Sequence, residues 1–93
     1  MKTYSQDELY NAHHQSMFNK IKLQESTSKL CGCFNCKDYV SISEITEWTD
    51  NNRTAICPYC GIDSIISDTE KFPLTKSLLQ QLYKRYFDYS SEV

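Results

Sequence analysis

Five cysteines stand in two clusters, Cys31, Cys33 and Cys36 in LCGCFNCK and Cys57 and Cys60 in ICPYCG. Cys33 and Cys36 are spaced C-x-x-C, and Cys57 and Cys60 repeat that spacing after twenty intervening residues. Thiolates three residues apart reach one tetrahedral ion when the backbone between them closes into a tight turn. That turn also aims backbone N–H groups at the sulfurs and offsets part of their charge. The pattern matches a four-cysteine zinc site, with Cys33, Cys36, Cys57 and Cys60 as ligands and Zn2+ as a structural ion.

The odd cysteine is assigned to Cys31, because only Cys33 with Cys36 reproduces the spacing of the second pair. Cys31 then reads as a small buried hydrophobe, with its substitution for Cys33 as a ligand left as an alternative. ICPYCG is the better-formed knuckle: Pro58 fixes φ after the first ligand, and Gly61 supplies the positive φ that lets the chain leave. CFNCK has Phe34 and Lys37 in those places, so Asn35 is expected to provide left-handed geometry there.

Other chemistry fits less well. A thioredoxin-like motif needs one C-x-x-C leading into a helix, whereas CPYCG leads into the strand-like IDSII. Rubredoxin-type iron is the closer rival, since iron also accepts four thiolates. A catalytic zinc keeps an open position, and four cysteines close the shell. His13 and His14 on the first helix, and Asp63 and Ser64 after the second knuckle, are the remaining candidate polar residues. The histidines read as packed or solvated, and Asp63 as a turn cap or an acceptor of knuckle N–H bonds. No H-E-x-x-H, phosphate loop or nucleophile elbow occurs, so the chain reads as non-enzymatic.

The elements that must position the cysteines follow from periodicity. Residues 5–25 read as one amphipathic helix, opened by a Ser5–Glu8 capping box, with Leu9, Ala12, His13, Ser16, Met17 and Ile21 along one stripe. STSK at 26–29 ends it. Asp38-Tyr39-Val40 reads as a strand. Ser41 and Glu44 suggest a second capping box and a helix of two or three turns through Ile42, Ile45 and Trp48. Asp50 to Arg53 is turn chemistry, and Thr54–Ile56 and Ile62–Ile66 read as strands. Asp68 to Pro73 is a loop, Thr75 an N-cap, and 76–88 a helix whose stripe includes Leu78, Leu79, Leu82 and Tyr83. The tail SSEV is expected to fray. The expected architecture is α+β in a single domain, 1–93. A zinc-ribbon-like or rubredoxin-like β unit (30–67) carries a short inserted helix, between an N-terminal helix (1–29) and a C-terminal helix (68–93).

A chain of 93 residues buries only about 60–70% of its unfolded surface, so its stability margin is thin. Structural zinc contributes on the order of 10–16 kcal/mol in small peptides, enough to hold such a chain folded. The N-terminus lacks the apolar core of a signal peptide, and no apolar run reaches membrane-spanning length, which points to the cytoplasm. Reduced thiols there favour metal binding over disulfides. Ten basic and twelve acidic residues give a formal charge of −2 without a basic run. Four thiolates around a divalent ion make the whole more negative, which disfavours nucleic acid.

At CGCFNC, ISEITEW and TAICPYCGIDSII, and on through FPLTKSLLQQLYKRYF, the chain resembles a family of small bacterial cytoplasmic zinc-ribbon-like proteins of uncharacterised function. Their pattern is CGCFYC, an acidic helix ending in EW, and TALCPYCGIDSVI. Asn35 stands where that pattern has an aromatic residue. The resemblance covers roughly residues 30–87 and implies a zinc-ribbon-like fold in a bacterium or its phage, with no activity attached.

The leading functional expectation is a zinc-stabilised protein-binding module whose partner is another protein. Seven tyrosines and Trp48 supply interface residue types, and small size with acidic charge suits an immunity or antitoxin protein. The alternatives are a regulatory nucleic-acid-binding zinc ribbon, needing Lys29, Lys37, Arg53 and Lys84 on one face beside Tyr59 or Phe34, and a rubredoxin-like iron protein. No membrane association is expected, and self-association through the same surfaces is compatible with the sequence.

Overall fold

Strand β1 (Leu30–Cys33) is the middle strand of a three-stranded sheet, and its alternation sets two faces. It pairs antiparallel with β2 (Asp38–Ser41) on one side and β5 (Ile65–Ser67) on the other, giving the order β2-β1-β5. The computed structural model describes residues 3–26 and 28–87. A second, two-stranded sheet joins β3 (Trp48–Thr49) to β4 (Thr54–Ala55). The fold is α+β with antiparallel sheets, as expected from the sequence.

One face of the three-stranded sheet carries Gly32 and Ile66, which are register partners on β1 and β5. Helix α1 (Gln6–His14) and helix α3 (Lys76–Tyr86) cover it, burying Leu9 and Ala12 from α1 and Leu78, Leu79 and Leu82 from α3. Gly32 permits this approach. A Cβ there would stand 2.8 Å from Leu74 Cδ1 and 3.0 Å from Leu79 Cδ2, inside van der Waals contact. The opposite face carries Cys31, Cys33, Val40 and Ile65 in a second core with Leu23 and Ala55.

Both expected helix starts next to the terminal helices hold. Ser5 Oγ accepts from the Glu8 N–H at 3.1 Å while the Glu8 carboxylate accepts from the Ser5 N–H at 3.0 Å. Thr75 Oγ1 accepts from the Leu78 N–H at 3.1 Å and opens α3.

Two helical expectations are corrected. The segment 5–25 is not one helix: α1 ends at His14, and a separate short helix α2 (Lys20–Glu25) follows. Tertiary hydrogen bonds divide it. Ser16 Oγ turns back onto His13 O at 2.7 Å, Phe18 N–H donates to Thr54 Oγ1 at 2.9 Å, and Asn19 is drawn inward. Met17 and Ile21 leave the expected stripe and are exposed. The inserted helix after β2 is only a 3-10 turn, Ile42–Glu44, with the Glu44 carboxylate accepting from the Ser41 N–H at 3.1 Å. Trp48, expected on that helix, sits in β3. The Ile62–Ile66 strand begins later, at Ile65, because residues before it close the second knuckle. The frayed tail expected at SSEV lies outside the described residues.

Candidate metal centre

The end of β1 and the turn into β2 carry the first cysteine pair, Cys33 and Cys36, and the turn between β4 and β5 carries the second. The two turns face each other. The sulfurs of Cys33, Cys36, Cys57 and Cys60 all lie within 4.8 Å of one another, with 3.6 Å between Cys33 and Cys60 and 3.8 Å between Cys36 and Cys57. Zinc–sulfur bonds of ~2.3 Å in a tetrahedron place sulfurs ~3.8 Å apart, so these four thiols can hold one metal ion. Cys33 and Cys57 are buried, and Cys36 and Cys60 half-buried. Among the described residues this is the group of His, Cys, Asp or Glu side chains that can hold a metal ion.

The two knuckles are built alike. Lys37 N–H donates to Cys33 O at 2.8 Å, and Gly61 N–H to Cys57 O at 3.0 Å. Each turn then aims an amide at its first sulfur: Cys36 N–H at Cys33 Sγ, 3.3 Å, and Tyr59 N–H at Cys57 Sγ, 3.4 Å. Gly61 adopts φ 74 as expected. In the first knuckle the expectation that Asn35 supplies the left-handed residue is corrected: Lys37 takes that conformation itself, at φ 62. The chain must reverse at the same point of both turns, and position 37 is that point in the first. The Lys37 ammonium then lies 4.2 Å from the Tyr83 ring centroid, a cation–π contact onto α3.

Two polar residues serve the sulfurs in ways that spacing alone does not reveal. Ser64 is fully buried, and its Oγ stands 2.9 Å from Cys33 Sγ, within reach to donate to that sulfur when it is a thiolate. Its carbonyl accepts from Phe34 N–H at 3.1 Å, tying the two knuckles together through backbone. At the other end of the site the Asn35 side chain acts on Cys60, lowering its thiol. The one sequence signal for these roles is adjacency: both residues lie within four positions of a ligand.

The electrostatics follow from burial and these donors. Burial pushes the Cys33 thiol up to about 11, against the lowering effect of Ser64 and the Cys36 amide. Burial and the neighbouring Cys60 also push Cys36 up. Burial acts in the same direction on Cys60, but the Asn35 side chain, the Ile62 amide and the adjacent thiols outweigh it and hold that group down at about 7. A divalent cation would replace this mutual thiol bonding with direct ligation of four thiolates, and the knuckle N–H groups would offset part of the negative charge left over.

Cys31 stays apart for a geometric reason. It lies two residues before Cys33 on the same strand, so it points to the same face but about 6.6 Å further back. Its Sγ donates to Val40 O at 3.3 Å, and burial raises its thiol to about 12. It is part of the core, among Val40 and Ile65.

The other candidates are dispersed. The His13 ring stacks on Tyr86 at 4.0 Å and packs 5.6 Å from Phe34, and burial, then His14, lower its pKa against the pull of Asp63. His14 is exposed, edge-on to Tyr10 at 4.4 Å. Asp63 is exposed, and Ser64, not Asp63, carries the contact to the knuckle. Arg53 stands over Phe18 at 5.1 Å, Lys84 lines a shallow groove with Leu9 and Gln81, and Lys29 precedes β1 at φ 58. The Tyr59 hydroxyl donates to the Glu44 carboxylate, fastening the tip of the second knuckle to the 3-10 turn.

No family model, curated protein or solved structure matches the chain. No helix among the described residues is long and apolar enough to cross a membrane.

Proposed function

We propose that the chain is a non-enzymatic protein-binding module whose fold is stapled by a structural Zn2+ on Cys33, Cys36, Cys57 and Cys60. The observation that carries this reading is the four sulfurs lying within 4.8 Å of one another, two of the pairs at 3.6 and 3.8 Å. Four thiolates leave no open coordination position for a substrate, and the bonds from Ser64 and the knuckle amides stabilise a closed, permanent cage. The ion would join the β1–β2 turn to the β4–β5 turn, reinforcing the Phe34–Ser64 backbone bond that already ties them. The large side chains left in solvent, Tyr10, Phe18, Ile21 and Tyr59, support the binding half of the reading. The resemblance of the cysteine segments to small bacterial proteins supports a bacterial or phage origin.

Elemental analysis of freshly reduced, folded protein tests the metal. About one zinc per chain in a colourless solution is expected. Visible charge-transfer absorption with bound iron would replace zinc by a rubredoxin-like centre, and folded protein without a metal would overturn both. Gel-shift titration at low salt, where phosphate contacts are strongest, tests the competing nucleic-acid role, and no shift is expected.

A further inference from the structure

Phe18 stands 58% exposed in the turn between α1 and α2, at φ 51. A bulky residue adopts that left-handed backbone only where its surroundings impose it. They do so from both sides. Phe18 N–H donates to Thr54 Oγ1 at 2.9 Å, and that hydroxyl donates to Asp50 Oδ2 at 2.9 Å. The next residue, Asn19, is 1% exposed and clamped between Ile65 O at 2.8 Å and Ala55 N–H at 3.0 Å. The fold therefore holds the Phe18 ring out in water instead of leaving it free to collapse.

The surroundings of the ring are apolar and cationic. Met17 and Ile21 are exposed beside it in the chain, Ile21 at 68%. Lys20 N–H donates to Arg53 O at 3.0 Å, which draws the β3–β4 hairpin alongside. The Arg53 guanidinium stands 5.1 Å from the Phe18 centroid and the Lys20 ammonium 5.1 Å from that of Trp48. Lys76 is paired with Asp38 at 2.7 Å, whereas neither Lys20 nor Arg53 is in a salt bridge among the described residues. A chain of net negative charge thus keeps two cations outside salt bridges beside an exposed apolar cluster. Arg53 Nε donates to the Asp50 carbonyl at 3.4 Å, and the Asp50 carboxylate is engaged by Thr54.

We propose that Met17, Phe18 and Ile21, with Lys20 and Arg53, form the docking surface for a protein that presents an apolar pocket rimmed by carboxylates. The inference rests on the protein-binding reading above and names its surface and the chemistry of its partner. Phe18 is the anchor that enters the pocket, and its fixed backbone lowers the ordering cost of binding. Arg53 and Lys20 meet the acidic rim and set orientation and association rate. A nucleic acid fits the surface less well. Met17 and Ile21 offer nothing to a base, and the net negative charge of the chain opposes phosphate.

The test places p-benzoylphenylalanine at position 18 of the full, metal-loaded chain in its source cells, and at exposed Tyr39 as a control. The cross-linked protein is then purified and titrated calorimetrically. A partner captured at position 18 and not at 39, whose affinity falls tenfold or more with Phe18→Ala and with Arg53→Glu and weakens as salt rises, is the expected result. Circular dichroism and metal content of both variants should match the parent. No adduct at position 18, adducts only to nucleic acid or to a second copy of the chain, or affinity unchanged by both substitutions would overturn the surface. A partner captured only at Tyr39 overturns the surface while leaving the protein-binding reading intact. Specific capture by protein that holds no metal overturns the zinc staple alone.

Discussion

Lys37 and Gly61 occupy the same place in the two knuckles, each donating its N–H to the carbonyl of the leading cysteine and each left-handed, at φ 62 and 74. Only one of them is a glycine. Gly61→Ala places a Cβ into space with nothing within 4 Å, so its effect is confined to the backbone. The expected cost is about 1–2 kcal/mol, read by chemical denaturation of the metal-loaded protein. Lys37→Gly relieves the corresponding strain but loses the contact with Tyr83, and a change smaller than that of Gly61→Ala is expected.

Ser64→Ala removes the buried hydroxyl from Cys33 without touching a ligand. Zinc stoichiometry is expected to be unchanged and affinity to fall about 10-fold or more, measured by competition with a chromophoric chelator. Unchanged affinity would show that the hydroxyl contributes packing alone.

Cys57→Ser and Cys31→Ala separate ligand from core. The first is expected to abolish stoichiometric zinc and most of the cooperative melt, because it opens the cage. The second keeps the zinc and costs about 1–2 kcal/mol, the range expected for a small buried deletion.

Acid should release the metal. Without an ion, Cys33, raised by burial to about 11, and Cys36, also raised, hold protons at neutral pH that zinc must displace. Displacing the Cys33 and Cys36 protons alone weakens zinc binding about 100-fold for each pH unit lowered, and the dependence steepens further as Cys60, held at about 7, is protonated too. The metal-free fold has the opposite slope. Thiols with raised folded values favour the fold below the unfolded thiol value of roughly 8.5 and lose that contribution as pH rises through about 11. Chelator competition across pH for the loaded protein, and melting across pH for the stripped one, read the two slopes.

Asn19→Ala orphans the Ile65 carbonyl and the Ala55 amide, both buried, and so loosens the second sheet from the first. A loss of about 2–4 kcal/mol is expected in denaturant titration, with zinc stoichiometry retained. Loss of metal as well would mean that this bridge also positions the knuckles.

The cysteine pairs, the capped starts of α1 and α3 and the apolar stripe of α3 were legible in the sequence, because each depends on spacing within a few residues. A C-x-x-C turn, a Ser5–Glu8 box and a run of leucines three and four apart carry their geometry locally. Residues 15–19 and 41–48 were not legible in this way. Their helical periodicity is real, but Thr54, Ile65 and Ala55 bond Phe18 and Asn19, and Ala55 and Ile56 pair with Trp48 and Glu47, contacts that helix continuation would forfeit. The same holds for Ser64, whose hydroxyl finds sulfur only once the two turns face each other.

The amino-acid sequence by itself thus determined the four sulfurs, the α+β class and the identity of the spare cysteine, since all follow from local repeats and the two-residue pleat of a strand. Only the tertiary structure decided that Lys37 takes the glycine place, that Asn19 clamps two sheets, and that Phe18 is held out in solvent. Those outcomes turn on contacts between residues tens of positions apart, where buried polar groups must find partners and local propensity yields to that demand.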